Sequence, residues 1–150
     1  MKFIVWTILV ILFDQGSKFL VQQKMKIGES IPIIKGIFHI TYIENPRTAF
    51  GIFQYQTIFL VIAILISVIL TILISRKIVF KKESIMYVPL TLVLGGAVGN
   101  LIDRLRTGRV IDFLDFRIWP IFNFADTAIV CGMLILLVYF LFYTKEENKE

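Results

Sequence analysis

One cysteine and one histidine in 150 residues exclude a good deal of chemistry at once. Cys131 has no second cysteine to pair with, and together with His39 it cannot assemble a Cys/His metal cluster. Charge is scarce as well, at 18% of residues against 57% hydrophobic, where a soluble domain carries about 25% charged. With mean hydropathy +0.82, the bilayer is the expected solvent. The formal charge of +5 does not imply nucleic acid, because the basic residues are scattered or flank apolar runs and form no hydrophilic domain of their own. No glycine loop of the phosphate-binding kind is present, nor a nucleophile with a partnered base. A signal-peptide cleavage site is lacking too. Lys2 and the apolar stretch Phe3 to Phe13 imitate such a peptide, but Asp14-Gln15-Gly16-Ser17-Lys18 follows where small residues would be needed, so the segment is expected to be retained. Cys131, deep in an apolar run, is no N-terminal lipidation cysteine.

What the sequence has is four apolar runs long enough to cross a hydrocarbon core of about 30 Å, at roughly 3–21, 57–75, 85–103 and 125–143. No charge occurs from Thr57 to Ser75, from Ile85 to Ile102 or from Thr127 to Thr144; the first run is interrupted by Asp14 and Lys18. The reading is a single membrane domain over 1–150 with both termini on one side. The connector at about 76–84 opens with Arg76-Lys77-Ile78-Val79-Phe80-Lys81-Lys82, four cations in seven residues, and this density predicts a cytoplasmic location for it and for the termini. Raw counts oppose that weakly, with seven Lys/Arg on that side and nine on the other. Segments 22–56 and 104–124 then lie outside, and period-two alternation in Phe38-His39-Ile40-Thr41-Tyr42 and in part of 109–117 predicts a small sheet on the outer membrane surface.

Ionised groups inside a span cost about 2.5–3.5 kcal/mol each, so they normally face protein or water. Asp14 and Lys18 are four apart with the acid first, the favourable order for an ion pair, and a structural pair explains them as well as a site does. Gly95 and Gly99 allow close helix approach, which packing alone explains. Asn100, Asp103 and Arg104 then crowd one sector of the third run's end. Snorkelling accounts for Arg104 but not for three adjacent polar groups. Asp112 and Asp115 read most simply as exposed loop carboxylates, Asp115 more so; Asn123 reads as a helix N-cap with Asp126 in the first turn. Singly, none of these demands catalysis. Jointly they gather polar groups near the same ends of three helices, where two carboxylates sharing a site are driven to different pKa values and divide the roles of base and acid.

The motifs resemble those of lipoprotein signal peptidase, signal peptidase II, along essentially the whole chain. Asp14-Gln15-Gly16-Ser17-Lys18 is similar to that family's D-Q-x-x-K; Gly95-Gly96-Ala97-Val98-Gly99-Asn100-Leu101-Ile102-Asp103-Arg104, continuing to Gly108-Arg109-Val110-Ile111-Asp112-Phe113, is similar to G-G-A-x-G-N-x-x-D-R-x-x-x-G-x-V-x-D-F; and Phe122-Asn123-Phe124-Ala125-Asp126 is similar to F-N-x-A-D. The resemblance implies an aspartic endopeptidase of the bacterial inner membrane that removes signal peptides from diacylglyceryl-modified prolipoproteins, cutting just before the lipid-bearing cysteine. It implies Asp112 and Asp126 as the catalytic pair, with Asp103 ranked third, and Asn45, Asn100, Arg104 and Asn123 as polar residues of the site. Asp14 and Lys18 are expected to support it. Two departures stand out: Arg47 replaces the usual glycine and Thr48 the usual alanine in Asn45-Pro46-Arg47-Thr48-Ala49-Phe50, and the segment from Asp112 to Asp126 is short for the family.

The expectation is therefore an all-α integral membrane protein of four transmembrane helices with a small extracytoplasmic β-sheet cradle, acting as a monomer on prolipoprotein within membrane lipid. No cofactor, metal or nucleic acid is expected. Two other classes compete: a small transporter or channel, against which the acids cluster at one end instead of spanning the depth, and an assembly subunit in which glycine packing and ion pairs are purely structural.

Overall fold

The computed structural model describes residues 2–46 and 87–143. Three helices and three strands follow in the order α1 (Lys2–Lys24), β1 (Ser30–Ile34), β2 (Phe38–Asn45), α2 (Tyr87–Thr107), β3 (Val110–Asp115) and α3 (Phe124–Tyr143). The expected run 57–75 and the cationic connector lie outside the described residues, so three of the four expected helices are described. Among them, α1 and α2 are long and apolar enough to cross a membrane.

Their burial pattern is that of a protein dissolved in lipid. On α1 the buried residues are Thr7, Asp14, Lys18 and Val21, one face at helical spacing, while Ile4, Leu12, Phe13 and Phe19 point outward and are exposed. A helix in water would place these the other way round. On α2 the buried stripe contains Gly95, Gly96 and Gly99. A β-carbon at Gly95 would sit 2.7 Å from the Val10 side chain of α1, and one at Gly96 would meet the Ala125 carbonyl of α3. The glycines therefore let α2 touch both neighbours at backbone distance.

The sheet is antiparallel in the order β1-β2-β3. Asn45 pairs with Val110 and Ile43 with Asp112, which fixes the relation between the end of β2 and the start of β3. All six residues of β3 are buried, whereas all five of β1 are exposed. The alternation visible in sequence thus has no wet face on β3. That strand contributes Ile111, Phe113 and Leu114 to a core completed by Val21 of α1, Met25 just beyond it and Tyr42 of β2. Phe113 meets Phe124 edge-on and Phe124 meets Phe13 at a tilt, so aromatic packing joins sheet, α3 and α1. Asp112 and Asp115 correct the loop expectation, since both are buried in β3; at Asp115 the burial is made tolerable by Thr41 Oγ1, which donates to its carboxylate at 2.7 Å, and by the Arg117 backbone and guanidinium, which donate at 2.8 and 2.9 Å.

Candidate active site

Polar side chains converge where the C-terminal part of α1, the end of α2, the start of α3 and the β2/β3 pair meet. Lys18, only 1% exposed, lies 2.8 Å from Asp14 Oδ2 and 2.7 Å from Asp103 Oδ2, and donates to Asn100 Oδ1 at 3.0 Å. Every proton of the ammonium is thereby used, which is what makes a buried lysine tolerable. Asp14 turns its other oxygen to the Ala125 N–H at 2.9 Å, inside the first turn of α3, so a carboxylate of α1 caps the positive end of another helix. Gln15, absent from the sequence-level site residues, donates to Asp103 Oδ1 at 2.8 Å and to the Gly99 carbonyl at 3.0 Å. Its place beside Asp14 in the first motif was the available signal.

Asn100 and Asn123 carry this arrangement to the two remaining acids. Asn100 Nδ2 donates to Asp126 Oδ1 at 2.7 Å. Asn123 Nδ2 donates to Asp112 Oδ1 at 2.7 Å and approaches Asn100 Oδ1 at 3.1 Å and the Ile111 carbonyl at 3.2 Å. Asn123 also caps α3, its Oδ1 accepting from the Asp126 N–H at 2.9 Å, while Asp126 Oδ2 reaches back to the Asn123 N–H at 3.4 Å. Capping and site roles, alternatives at the level of sequence, coincide in one side chain. Asn45, at the end of β2, donates to Asp112 Oδ2 at 2.9 Å. Arg104 Nη1 reaches the Asn100 carbonyl at 3.4 Å, and its charge acts on Asp126, Asp112 and Asp103.

All nine residues singled out from the sequence thus fall in one connected region; Arg47 and Thr48 lie outside the described residues. Asp112 and Asp126 share Asn123 as a neighbour, yet their environments differ. Asp112 is 3% exposed, and burial pushes its pKa from 3.8 up to about 6, with the nearby Asp126 charge adding to the rise and the Asn45 and Asn123 amides and the Lys18 charge opposing it. Asp126 is only partly buried. It borders an apolar groove of about 490 Å³ walled by Phe116, Trp119, Phe122 and Val130. One carboxyl is held inside, and the other faces a space that a chain could enter. Among the described residues no three His, Cys, Asp or Glu side chains converge as metal ligands would.

Apolar helices around a carboxylate cluster define a membrane protein with a polar site at its helix ends, and comparison with known proteins gives it the class of bacterial membrane peptidases. The sequence pattern of the family described as Signal peptidase (SPase) II matches residues 6–142, and the chain belongs to that family. It is 42% identical to a lipoprotein signal peptidase of Moorella thermoacetica over 100% of this chain and 99% of the relative. To one of Halothermothrix orenii it is 46% identical, over 88% and 90%. Two solved structures, each a bacterial membrane enzyme obtained by the in meso method, superpose with TM-scores of 0.83 and 0.82 at 32% and 33% identity. The first alignment covers 99% of this chain and 92% of the other, the second 95% and 94%.

Proposed function

We propose that this chain is an aspartic endopeptidase that cleaves the signal peptide from diacylglyceryl-modified prolipoproteins, N-terminal to the lipid-bearing cysteine. The observation that carries the reading is the unequal pair: Asp112 buried with its pKa pushed up to about 6, and Asp126 joined to it through Asn123 but open to the groove. In this mechanism the two share one proton. Asp126, in the first turn of α3 where the helix dipole favours negative charge, takes a proton from water as that water attacks the scissile carbonyl. Asp112, protonated, gives its proton to the carbonyl oxygen as the tetrahedral diol forms; when the C–N bond breaks, Asp126 passes the proton it took from water to the leaving amine and Asp112 takes one back from a diol hydroxyl, so the pair ends as it began. No covalent intermediate and no cofactor is involved. Asn45 and Asn123 hold the Asp112 carboxyl in place. Asn100 does the same for Asp126, and Arg104 offsets the negative charge that collects in the site.

Placement follows from the same reading. The chain would sit as a monomer in the inner membrane with both termini cytoplasmic, four spans, and the site near the extracytoplasmic face, so the substrate's acyl chains stay in the bilayer. A transport function is disfavoured because the acids of the described helices, Asp14, Asp103 and Asp126, gather at one end.

The test is cleavage of a diacylglyceryl-modified prolipoprotein in detergent by wild type, Asp112→Asn and Asp126→Asn, with thermal unfolding of each measured in parallel. Folded variants that have lost cleavage support the pair. Retained cleavage in either variant would remove that residue from the mechanism, and an inert wild type would remove the activity.

A further inference from the structure

The β1–β2 hairpin is the least protected part of the described structure and the most oddly composed. Ile27, Ile31, Ile33, Ile34 and Ile37 are between 42% and 64% exposed, all within eleven consecutive residues. Successive residues of a strand point to opposite faces, so a fully exposed β1 is covered on neither face. The turn that closes the hairpin is specific: Ile37 N–H donates to the Ile34 carbonyl at 3.0 Å and Gly36 takes φ 75°, a conformation glycine accepts freely. This chain has therefore built an ordered hairpin and left a band of isoleucine outside it. Isolated apolar residues on a surface need no explanation, but a contiguous band does.

The charges around the band indicate its partner. Lys24, Lys26 and Lys35 are exposed, and none lies within salt-bridge reach of a carboxylate among the described residues. The one acid between residues 22 and 43, Glu29, is occupied by the Lys26 backbone N–H at 2.8 Å. Apolar side chains rimmed by unpaired lysines match a bilayer surface, where acyl chains lie beneath phosphate. Position agrees. α1 ends at Lys24, so the hairpin begins where a span leaves the membrane, and β1 stands two strands, about 10 Å, outward from β3, which is seated on the helices. A second copy pairing along β1 is a poorer match, because Pro32 and the register shift between Pro32 and Ile34 break the row of N–H groups that another strand would require.

We propose that this hairpin is a membrane anchor in which the isoleucines enter the outer-leaflet interface and Lys26 and Lys35 engage the phosphates of anionic lipids. It holds the sheet, and with it Asn45 at the far end of β2, at a set height over the site. The proposal does not depend on which acids are catalytic.

The test uses the full chain with Ile33→Trp as reporter, in a background of Trp6→Phe and Trp119→Phe, reconstituted in vesicles of phosphatidylcholine alone or of equal parts phosphatidylcholine and phosphatidylglycerol. Blue-shifted emission is expected, quenched by lipids brominated near the headgroup, with roughly twofold or more quenching when the anionic lipid is present. Lys26→Gln with Lys35→Gln, or high salt, should abolish the difference between the two vesicles. Unquenched emission typical of water would overturn the anchor. Equal quenching in both vesicles would overturn the headgroup selectivity, and a blue shift that disappears on dilution with excess lipid would assign the surface to a second copy instead. Native-like thermal unfolding of the reporter protein guards against a misfolded hairpin.

Discussion

Lys18 decides which way the side chain of Asn100 faces. An ammonium can only donate, so its 3.0 Å contact fixes the Asn100 oxygen toward Lys18 and leaves the amide nitrogen aimed at Asp126, 2.7 Å away. A residue of α1 thereby orients a donor of α2 onto an acid of α3. Replacing Lys18 by methionine strands Asp14 and Asp103 in a buried site without a cation, at a cost of about 3–5 kcal/mol. It also removes a charge that lowers the Asp112 pKa. Calorimetry should show the loss of stability, and the alkaline limb of kcat/KM should move to higher pH. A merely structural lysine would lower activity with that limb in place.

The raised pKa of Asp112 makes a second expectation about pH. Its folded value of about 6 lies above the ordinary carboxyl value of 3.8, so native structure favours the protonated form; this stability is present below about 4 and is lost as pH rises through 6. At neutral pH the ionised carboxylate therefore destabilises the fold by at most about 3 kcal/mol, at about 1.4 kcal/mol per pKa unit. Asp112→Asn should unfold at a higher temperature than wild type at pH 7.5 and lose that advantage near pH 4, while cleaving nothing. In the wild type, kcat/KM should decline on the alkaline side with an apparent pKa near or above 6. Thermal scans at the two pH values and a pH–rate profile check both statements.

Much of this was legible in the sequence because a membrane inverts the usual code. Polar residues in apolar runs are conspicuous, and the spacing of Asp14 with Lys18 and of Asn100 with Asp103 and Arg104 by itself places each group on a helix sector. Three of the helices and the strands containing Phe38–Tyr42 and residues 110–115 appear where the periodicities put them. What could not be read was the partner of each group. Asp14 capping α3 joins residues 111 apart in sequence, and Asp115 joins Thr41 across 74. Such pairings are set by how the helices and strands dock, and no local pattern encodes them. For Gln15 the motif offers a position beside Asp14 but no partner, since its role comes from the Asp103 and Gly99 atoms it meets.

Gly99 offers a test of close approach. A β-carbon there would lie 2.5 Å from Asp14 Oδ2, and that carboxylate cannot retreat without leaving Lys18 and the Ala125 N–H. Gly99→Ala should cost about 1–3 kcal/mol of stability and reduce cleavage by roughly tenfold or more through the displaced capping of α3. Gly16, two residues beyond Asp14 with nothing within 4 Å of its would-be β-carbon, is the control. Gly16→Ala should stay within about 0.5 kcal/mol of wild type and cleave normally. Equal behaviour of the two variants would show that the α1–α2 contact is looser than this geometry.

Asp115 offers a contrast, on a single strand, to the carboxylate proposed as catalytic, Asp112. Burial alone would raise its pKa, but the Thr41 hydroxyl and the Arg117 backbone and guanidinium outweigh burial and hold it below the usual carboxylate value. A depressed folded pKa means that the stabilisation is present above the unfolded value near 3.8 and is lost as pH falls through the folded one. Asp115→Asn should therefore lower the unfolding temperature at pH 7, with the deficit shrinking below about pH 4. The opposite trend is expected for Asp112→Asn, three residues earlier on β3. Cleavage by the Asp115 variant should keep the wild-type pH profile, since Asp115 bonds to Thr41 and Arg117 and to none of the site's amides. A shifted profile would mean that the hydrogen bonds of Asp115 set the position of Asp112 along the strand, and that β3 serves the site at both ends.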